Sequence, residues 1–390
     1  MLAAIVGGNL QGTEAVYLSK KAGWDVLLID KNPVASASGL CDRFIQFDVT
    51  SAKQLGNALN GVELVIPALE NEAALISLDH WTKSENIPFA FDLEAYSISS
   101  SKLKSDRLFA RNKVPIPQPW PNCGFPVLAK PNVGSGSHDV MVFREKACLQ
   151  RYIEDAPADI VLQEFIQGPS YSIEVIGVPG QYIPLQVTEL KMDENYDCKR
   201  VLAPTGLSDA LTLEFERIAD TLAHAIELRG LMDVEVILHE GELKVLEIDA
   251  RLPSQTPTTV YWSTGLNMVR MLGDLFVKGS CMRPNDPIHS KGVIYEHIQV
   301  SSNMLKFAGE GIMSRGAPLR IQSNFFGADE AITNYVPKCD EWVATLIICE
   351  KNRDAAEEKR NLVIADIQRH FNIKMFQDPS PMEHIKGKQT

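Results

Sequence analysis

The chain has 390 residues, length enough for two to four domains with sizeable cores, and its 45% hydrophobic and 23% charged content is that of a soluble globular protein. With 38 basic against 50 acidic residues the net charge is −12, which excludes a nucleic-acid binder held by phosphate neutralisation and is compatible with cationic small substrates. The seven cysteines, at 41, 123, 148, 198, 281, 339 and 349, are odd in number and contain no CxxC, so neither a disulfide framework nor a zinc site is indicated, and a reducing cytoplasm is expected. No apolar run approaches the ~18 residues of a membrane span, and the apolar start MLAAIVGGNLQG lacks the basic residues and length of a signal sequence.

Residues 2–95 alternate strand and helix. Leu2–Val6 reads as a buried strand, Gly7–Gly12 as a turn, Thr13–Ala22 as a helix ending at Gly23, and Val26–Ile29 as a strand closed by Asp30. Further strands are expected at Phe44–Phe47, Leu64–Pro67 and Phe89–Ala90, giving a doubly wound α/β pattern. The turn is similar to the G-x-G-x-x-G dinucleotide fingerprint with Asp30 as its acid, but Asn9 replaces the central glycine and hinders close approach of a pyrophosphate. Taken alone, this domain admits a nicotinamide-dependent dehydrogenase or simply a tight strand-to-helix turn.

Ser100–Lys113 predicts a helix rich in Lys and Arg, with Lys102 and Lys104 near its start, and prolines 115, 117 and 119 turn the chain into an extended linker. A small α/β module follows. Pro126–Lys130 reads as a strand ending in a lysine. Gly134–His138 (GSGSH) is a loop whose N–H groups and hydroxyls suit phosphates without matching a Walker A sequence. Val161–Ile166 is a strand stopped by Gly168-Pro169. A helix is expected at Leu213–Leu228. Beyond residue 285 come strands near Val293–Val300 and Trp342–Cys349 and an amphipathic helix at Arg353–Phe371, with no obvious chemistry.

The densest signal is GLMDVEVILHEGELKVLEIDARLPSQTP, residues 230–257. Apolar runs Val234–Leu238 and Leu243–Ile248 flank His239–Glu242, which is a hairpin pattern. Glu247 and Asp249 are two apart and share a strand face, and Glu235 lies within cross-strand reach. Such carboxylates repel one another unless something positive sits among them, and hard oxygen ligands in a pair or trio suit Mg²⁺ together with substrate phosphates. Arg251 would lie on the same side if the strand continued, beside an anionic intermediate. The plainer alternative is an acidic, solvated hairpin face.

In order along the chain, Lys102, the strand-end Lys130, the Gly/Ser loop, QEFI-x-G and E-I-D-A-R resemble the ATP-grasp carboxylate–amine ligases. The resemblance implies an α/β ATP-grasp fold: an N-terminal doubly wound (pre-ATP-grasp) domain over 1–95, an ATP-grasp domain over 96–280 with a lid at about 115–180, and a C-terminal α+β domain over 281–390. It implies ATP and Mg²⁺ as cofactors. Lys102 or Lys104, with Lys130, would hold phosphates; Ser135, Gly136 and Ser137 would form the phosphate lid; Glu164, Phe165 and Ile166 would give backbone hydrogen bonds to adenine; Glu235, Glu247 and Asp249 would bind the metal; and Arg251 would steady an acyl-phosphate. Asp249 stands where the family often has Asn, and Ser170 where an acidic ribose ligand is common.

Within that family, GGNLQGTEAVYLSKKAGWDVLLIDKNP and VIPALENEAAL resemble the ligases of pyrrolysine biosynthesis. This implies 3-methyl-D-ornithine, or D-ornithine, as the acid and the side-chain amine of L-lysine as the nucleophile, with neither nucleic acid nor membrane as partner. Leu10 and Gln11 in the glycine turn would seat a substrate carboxylate, and Glu70 or Glu72 an ammonium. Asp233 would act as the base, and Ser254 and Gln255 complete the expected substrate contacts.

Overall fold

A computed structural model of the protein describes residues 1–51, 59–134, 139–156, 159–281 and 290–381. The expected phosphate-lid residues Ser135, Gly136 and Ser137 lie outside them.

The N-terminal region is a parallel sheet in the order β3-β2-β1-β4, formed by β1 (Leu2–Val6), β2 (Asp25–Asp30), β3 (Arg43–Gln46) and β4 (Leu64–Pro67). The expected strand at Phe89–Ala90 is reduced to a single parallel bridge between Val65 and Phe89. The first helix begins at Leu10 rather than Thr13 and runs to Lys21, so Gln11 and Gly12 belong to its first turn. Gly12 serves a close approach and not a turn: a Cβ there would lie 2.1 Å from the Gly7 carbonyl oxygen. The expected Ser100–Lys113 helix is Lys102–Arg111, and a separate helix, Leu93–Ser99, precedes it. Each is started by a side chain that accepts from backbone N–H groups, Asp92 for Leu93–Ser99 and Ser101 for Lys102–Arg111.

A three-stranded antiparallel sheet, β6-β5-β7, is built from β5 (Val127–Pro131), β6 (Met141–Phe143) and β7 (Ile160–Glu164). With helix Lys146–Asp155 it encloses a small separate core of Cys123, Val127, Ala129, Phe143 and Leu149.

The remaining strands form one sheet of twelve. They are β8 (Ser170–Val178), β9 (Gln181–Pro184), β10 (Thr188–Met192), β11 (Cys198–Ala203), β12 (Gly230–His239), β13 (Glu242–Asp249), β14 (Gly292–Ser301), β15 (Met304–Phe307), β16 (Arg320–Phe325), β17 (Ala328–Thr333), β18 (Trp342–Glu350) and β19 (Met375–Gln377). The spine runs β13-β12-β8-β10-β11-β14-β18-β17-β16, so the β11–β14 pairing carries the sheet across the division expected near residue 280. Helix Asp209–Ala225 buries Phe215, Ile218, Ala219, Leu222 and Ala223, an i, i+3, i+4, i+7, i+8 stripe, in the core it shares with β8 and β12. Each large side chain so buried contributes about 1.5–3 kcal/mol. The N-terminal region docks on the far part of the sheet through Tyr17, whose hydroxyl donates to Glu330 at 2.7 Å and accepts from Trp262 Nε1 at 2.8 Å. All seven cysteines are unpaired, and among the described residues no helix is long and apolar enough to cross a membrane.

The β12–β13 hairpin turns on Glu240 and Gly241, with φ 51° and 85°, the positive pair that a tight two-residue turn requires. Pairing runs His239–Glu242, Leu238–Leu243, Ile237–Lys244 and Val236–Val245. It then shifts by one residue, and Glu235 faces Glu247 while Asp233 faces Asp249. Leu246 is the extra residue of this β-bulge, a feature that re-aims side chains beside functional sites.

Candidate active site

The bulged hairpin sets two carboxylate pairs side by side on one sheet face, Glu235 opposite Glu247 and Asp233 opposite Asp249. Burial raises Glu235 to about 8 with help from the Glu247 and Asp249 charges, and burial raises Asp249 to about 6, with Arg251 opposing. Asp233 is buried, and its Oδ1 has no hydrogen-bond partner among the described residues.

Arg251 reaches this face by a different route from the one expected. The strand ends at Asp249, and a three-residue turn, with Arg251 N–H donating to Asp249 O at 2.9 Å, folds the chain back. The guanidinium Nη2 then lies 2.9 Å from Asp249 Oδ2 and 2.8 Å from Glu70 Oε1, while Nε has no partner among the described residues. Burial disfavours its charge, but Asp249, Glu70 and Asp233 outweigh that and hold the group above its ordinary range.

The expected three-carboxylate metal set is not assembled. Among the described residues no group of three or more His, Cys, Asp or Glu side chains is placed to hold a metal ion, and Asp249 is tied to Arg251. Glu235 and Glu247 remain as a facing pair. Two carboxylates completed by substrate phosphates are a donor set that fits Mg²⁺.

The lysines separate cleanly. Lys102 Nζ lies 3.5 Å from Glu247 Oε2 and donates to Gly134 O at 2.6 Å, beside the Gly/Ser loop. Lys104 Nζ turns away to Ser97 O at 2.8 Å. Lys130 is buried, and its Nζ reaches the carbonyl of the bulged Leu246 at 3.4 Å. Burial pushes Lys130 down, with the Glu247 charge opposing. At the expected hinge, the N–H groups of Glu164 and Phe165 already donate to Gln118 O and Pro126 O at 2.7 and 3.1 Å, so an adenine bond from either must displace these. The Glu164 carboxylate takes Lys244 at 3.1 Å.

The N-terminal region closes one side of the site. Gln11 Nε2 donates to Leu252 O at 3.1 Å, one residue beyond Arg251; Leu10 is partly buried beside it. Glu70, expected to hold a substrate ammonium, pairs with Arg251, and Glu72 is exposed on the first turn of helix Glu72–Glu85. Asp30, the acid of the dehydrogenase reading, accepts from Gly8 N–H at 2.6 Å and Asn32 N–H at 2.7 Å; it braces its own loop in place of a ribose. Gln255 sits at φ 69°, a strained position for a side-chain-bearing residue, at the start of helix Thr256–Thr264 with Oε1 unpartnered.

Sequence reasoning missed two acids here. Glu310 makes side-chain hydrogen bonds to Ser254 and Gln255 and is raised by burial and by Asp197. Glu174 lies in β8 directly opposite Asp233. An acid inside the apolar run SYSIEVIGV was the available signal for the second.

Fold and site together define an ATP-grasp ligase, and residues 99–255 match the family model described as an ATP-grasp domain. The chain is 33% identical over 369 residues to the 3-methyl-D-ornithine–L-lysine ligase of Methanosarcina mazei, covering 94% of this chain and 95% of that one. It is 34% identical to the Methanosarcina barkeri enzyme of the same name, covering 94% and 98%. In fold alone it resembles the biotin carboxylase–β-γ-ATP complex of Campylobacter jejuni, with a TM-score of 0.72, 15% identity and coverage of 93% and 91%. The chain belongs to the 3-methyl-D-ornithine–L-lysine ligase family. The dehydrogenase reading is thereby set aside.

Proposed function

We propose that this protein joins the carboxylate of 3-methyl-D-ornithine, or of D-ornithine, to the side-chain amine of L-lysine in pyrrolysine biosynthesis, driven by ATP in a reducing cytoplasm. The observation that carries the reading is the paired carboxylates of the bulged hairpin with Arg251 and Lys102 among them. A carboxylate oxygen of the acid attacks the γ-phosphorus of ATP, the bond to the β–γ bridging oxygen breaks, and ADP leaves with the electron pair. Lys102 and Lys130 meet the phosphate charge. Glu235 and Glu247 would hold Mg²⁺, which when bound would supply charge neutralisation at the transferring phosphoryl group. The Arg251 fork, fixed by Asp249 and Glu70, steadies the acyl-phosphate. The lysine amine attacks the acyl carbon, phosphate departs, and the ammonium proton passes to Asp233, whose Oδ1 is free to accept it.

ADP release against a panel of amino-acid pairs tests the reading. D-ornithine with L-lysine is expected to give the signal, with fragmentation placing the new bond on the side-chain amine; a bond on the α-amine sinks it. Asp233→Asn is expected to form acyl-phosphate, trapped by hydroxylamine as the hydroxamate, yet to stall transfer to lysine. Transfer at the wild-type rate removes Asp233 from the mechanism.

A further inference from the structure

Helix Leu10–Lys21 turns one face to the run of chain that begins just after Arg251. Gln11 Nε2 donates to Leu252 O at 3.1 Å, and Glu14 Oε1 accepts from Thr258 N–H at 2.5 Å. The Tyr17 hydroxyl accepts from Trp262 Nε1 at 2.8 Å, and Leu18 O accepts from Asn267 Nδ2 at 2.8 Å. Positions 11, 14, 17 and 18 are the i, i+3, i+6 and i+7 of one helical stripe. Glu14 is the unusual member, an acid 1% exposed. Its acceptor serves helix Thr256–Thr264, whose own N-cap, Gln255, makes no side-chain cap bond. In the first turn of that helix Thr256 N–H finds Ser254 O at 2.8 Å, Pro257 has no N–H, and Thr259 N–H reaches Gln255 O at 3.2 Å. Thr258 N–H is left over, and Glu14 takes it, as a cap side chain of the helix's own would. Gln255 keeps its φ of 69° only because its surroundings over-determine it. Glu14 and Gln11 hold the turn from one side, and Glu310, through its hydrogen bonds to Ser254 and Gln255, from the other.

Resting on the functional reading above, we propose that Glu14 is a positioning residue for phosphoryl transfer: as a cap supplied by the N-terminal region it fixes the Leu252–Thr258 turn, and with it the adjoining Arg251 that steadies the acyl-phosphate. Without the cap, Gln255 is free to relax toward an ordinary φ, and the turn that relaxes with it ends on Arg251. A shift of about 1 Å in a group that must meet reacting oxygens can cost about 100-fold in rate. ATP is held by other residues, so the loss falls on turnover and leaves nucleotide affinity alone. Burial raises Glu14 to about 8, its hydrogen bonds to Thr258 and Gln255 opposing. Near neutral pH it is therefore chiefly an uncharged acceptor, which an amide reproduces and a thioether does not.

The test follows acyl-phosphate formation from D-ornithine, ATP and Mg²⁺, trapped by hydroxylamine as the hydroxamate, with rates expressed per folded molecule. Glu14→Met is expected to lower kcat at least about 10-fold, with KM for ATP within about 2-fold of wild type. Glu14→Gln keeps the acceptor for Thr258 and is expected to stay within about 3-fold of wild type. Because Glu14 acts through Arg251, Glu14→Met added to Arg251→Lys is expected to cost less than about 2-fold more. Wild-type turnover in Glu14→Met makes Glu14 a cap for stability alone and overturns the proposal. A loss that multiplies in full with that of Arg251→Lys overturns it too. Should the Met variant fold poorly, Glu14→Asp decides, since its carboxyl withdraws by one methylene from Thr258: a kcat lowered in the wild-type background but not in Arg251→Lys supports the proposal, and any other pattern overturns it. A wild type that yields hydroxamate keeps the functional reading standing whatever the variants do, and a wild type that yields none overturns both.

Discussion

Arg251 and Glu70 meet at 2.8 Å across the junction between the N-terminal parallel sheet and the acid-bearing hairpin. The same nitrogen bonds Asp249 at 2.9 Å, so one guanidinium ties the two halves of the site together. A planar fork can serve two carboxylates and still present other N–H groups to a ligand, and the unpartnered Nε is such a group.

Arg251→Lys keeps the charge and loses the fork. Turnover is expected to fall by about 100-fold, near 2.7 kcal/mol in the barrier, with ATP affinity within a few-fold of wild type. Separate measurements of nucleotide binding and turnover decide it; weakened ATP affinity at unchanged turnover contradicts the role.

Glu247→Gln removes one member of the facing pair and the partner of Lys102. Ligation is expected to drop more than about 100-fold, because bound metal supplies several kcal/mol of charge stabilisation. The fold should persist, since Glu247 is partly exposed. Near-normal turnover at saturating Mg²⁺ would falsify its assignment as a metal ligand.

The two neighbouring lysines are expected to behave differently. Lys102→Ala should raise KM for ATP at least about 10-fold, the loss of one charge-assisted phosphate contact of about 1.5–3 kcal/mol. Lys104→Ala removes an exposed side chain bonded to the end of helix Leu93–Ser99 and should change stability within about 0.5 kcal/mol and kinetics little. Equal effects from both would show that the phosphates lie elsewhere.

Acid destabilisation has an identifiable contributor in His297, buried in β14, which burial lowers from 6.5 to about 3. Its Nδ1 contacts Thr345 Oγ1 at 2.8 Å, and its Nε2 has no partner among the described residues. Between pH 6.5 and 3 the unfolded chain binds a proton there that the native protein does not, so stability falls as pH falls through that window. Between pH 7.5 and 5.5 the wild type is expected to lose roughly 1 kcal/mol more than His297→Gln. Denaturant unfolding of both proteins at the two pH values measures this; parallel losses would exonerate His297.

Strands with strong apolar patterns were legible in sequence nearly to the residue: Leu2–Val6 and Leu64–Pro67 appear with the bounds expected. The helix starts were less so. Gly12 looked like a turn residue because its reason for being glycine, the nearby Gly7 carbonyl, is a tertiary contact. The acids of the hairpin could be read from spacing, but their partners could not. That Arg251 returns to Asp249 depends on a three-residue turn, and that it meets Glu70 depends on how distant segments dock. Glu174 escaped notice because only strand order places β8 beside β12.

From the hairpin tip, Leu243 and Val245 point into the core, and strict alternation would send residue 247 in after them. The extra residue Leu246 changes the parity, so that Ile248 and Ala250 take the core positions and Glu247 and Asp249 come out on the face of Glu235 and Asp233. The chemistry of the site is therefore written in a frame as well as in letters. A regular strand that kept Leu246 would bury Glu247 and Asp249 beneath the sheet and expose Ile248 above it, whereas deleting Leu246 would leave the acids on their face and cost the bulge, with the carbonyl that Lys130 reaches.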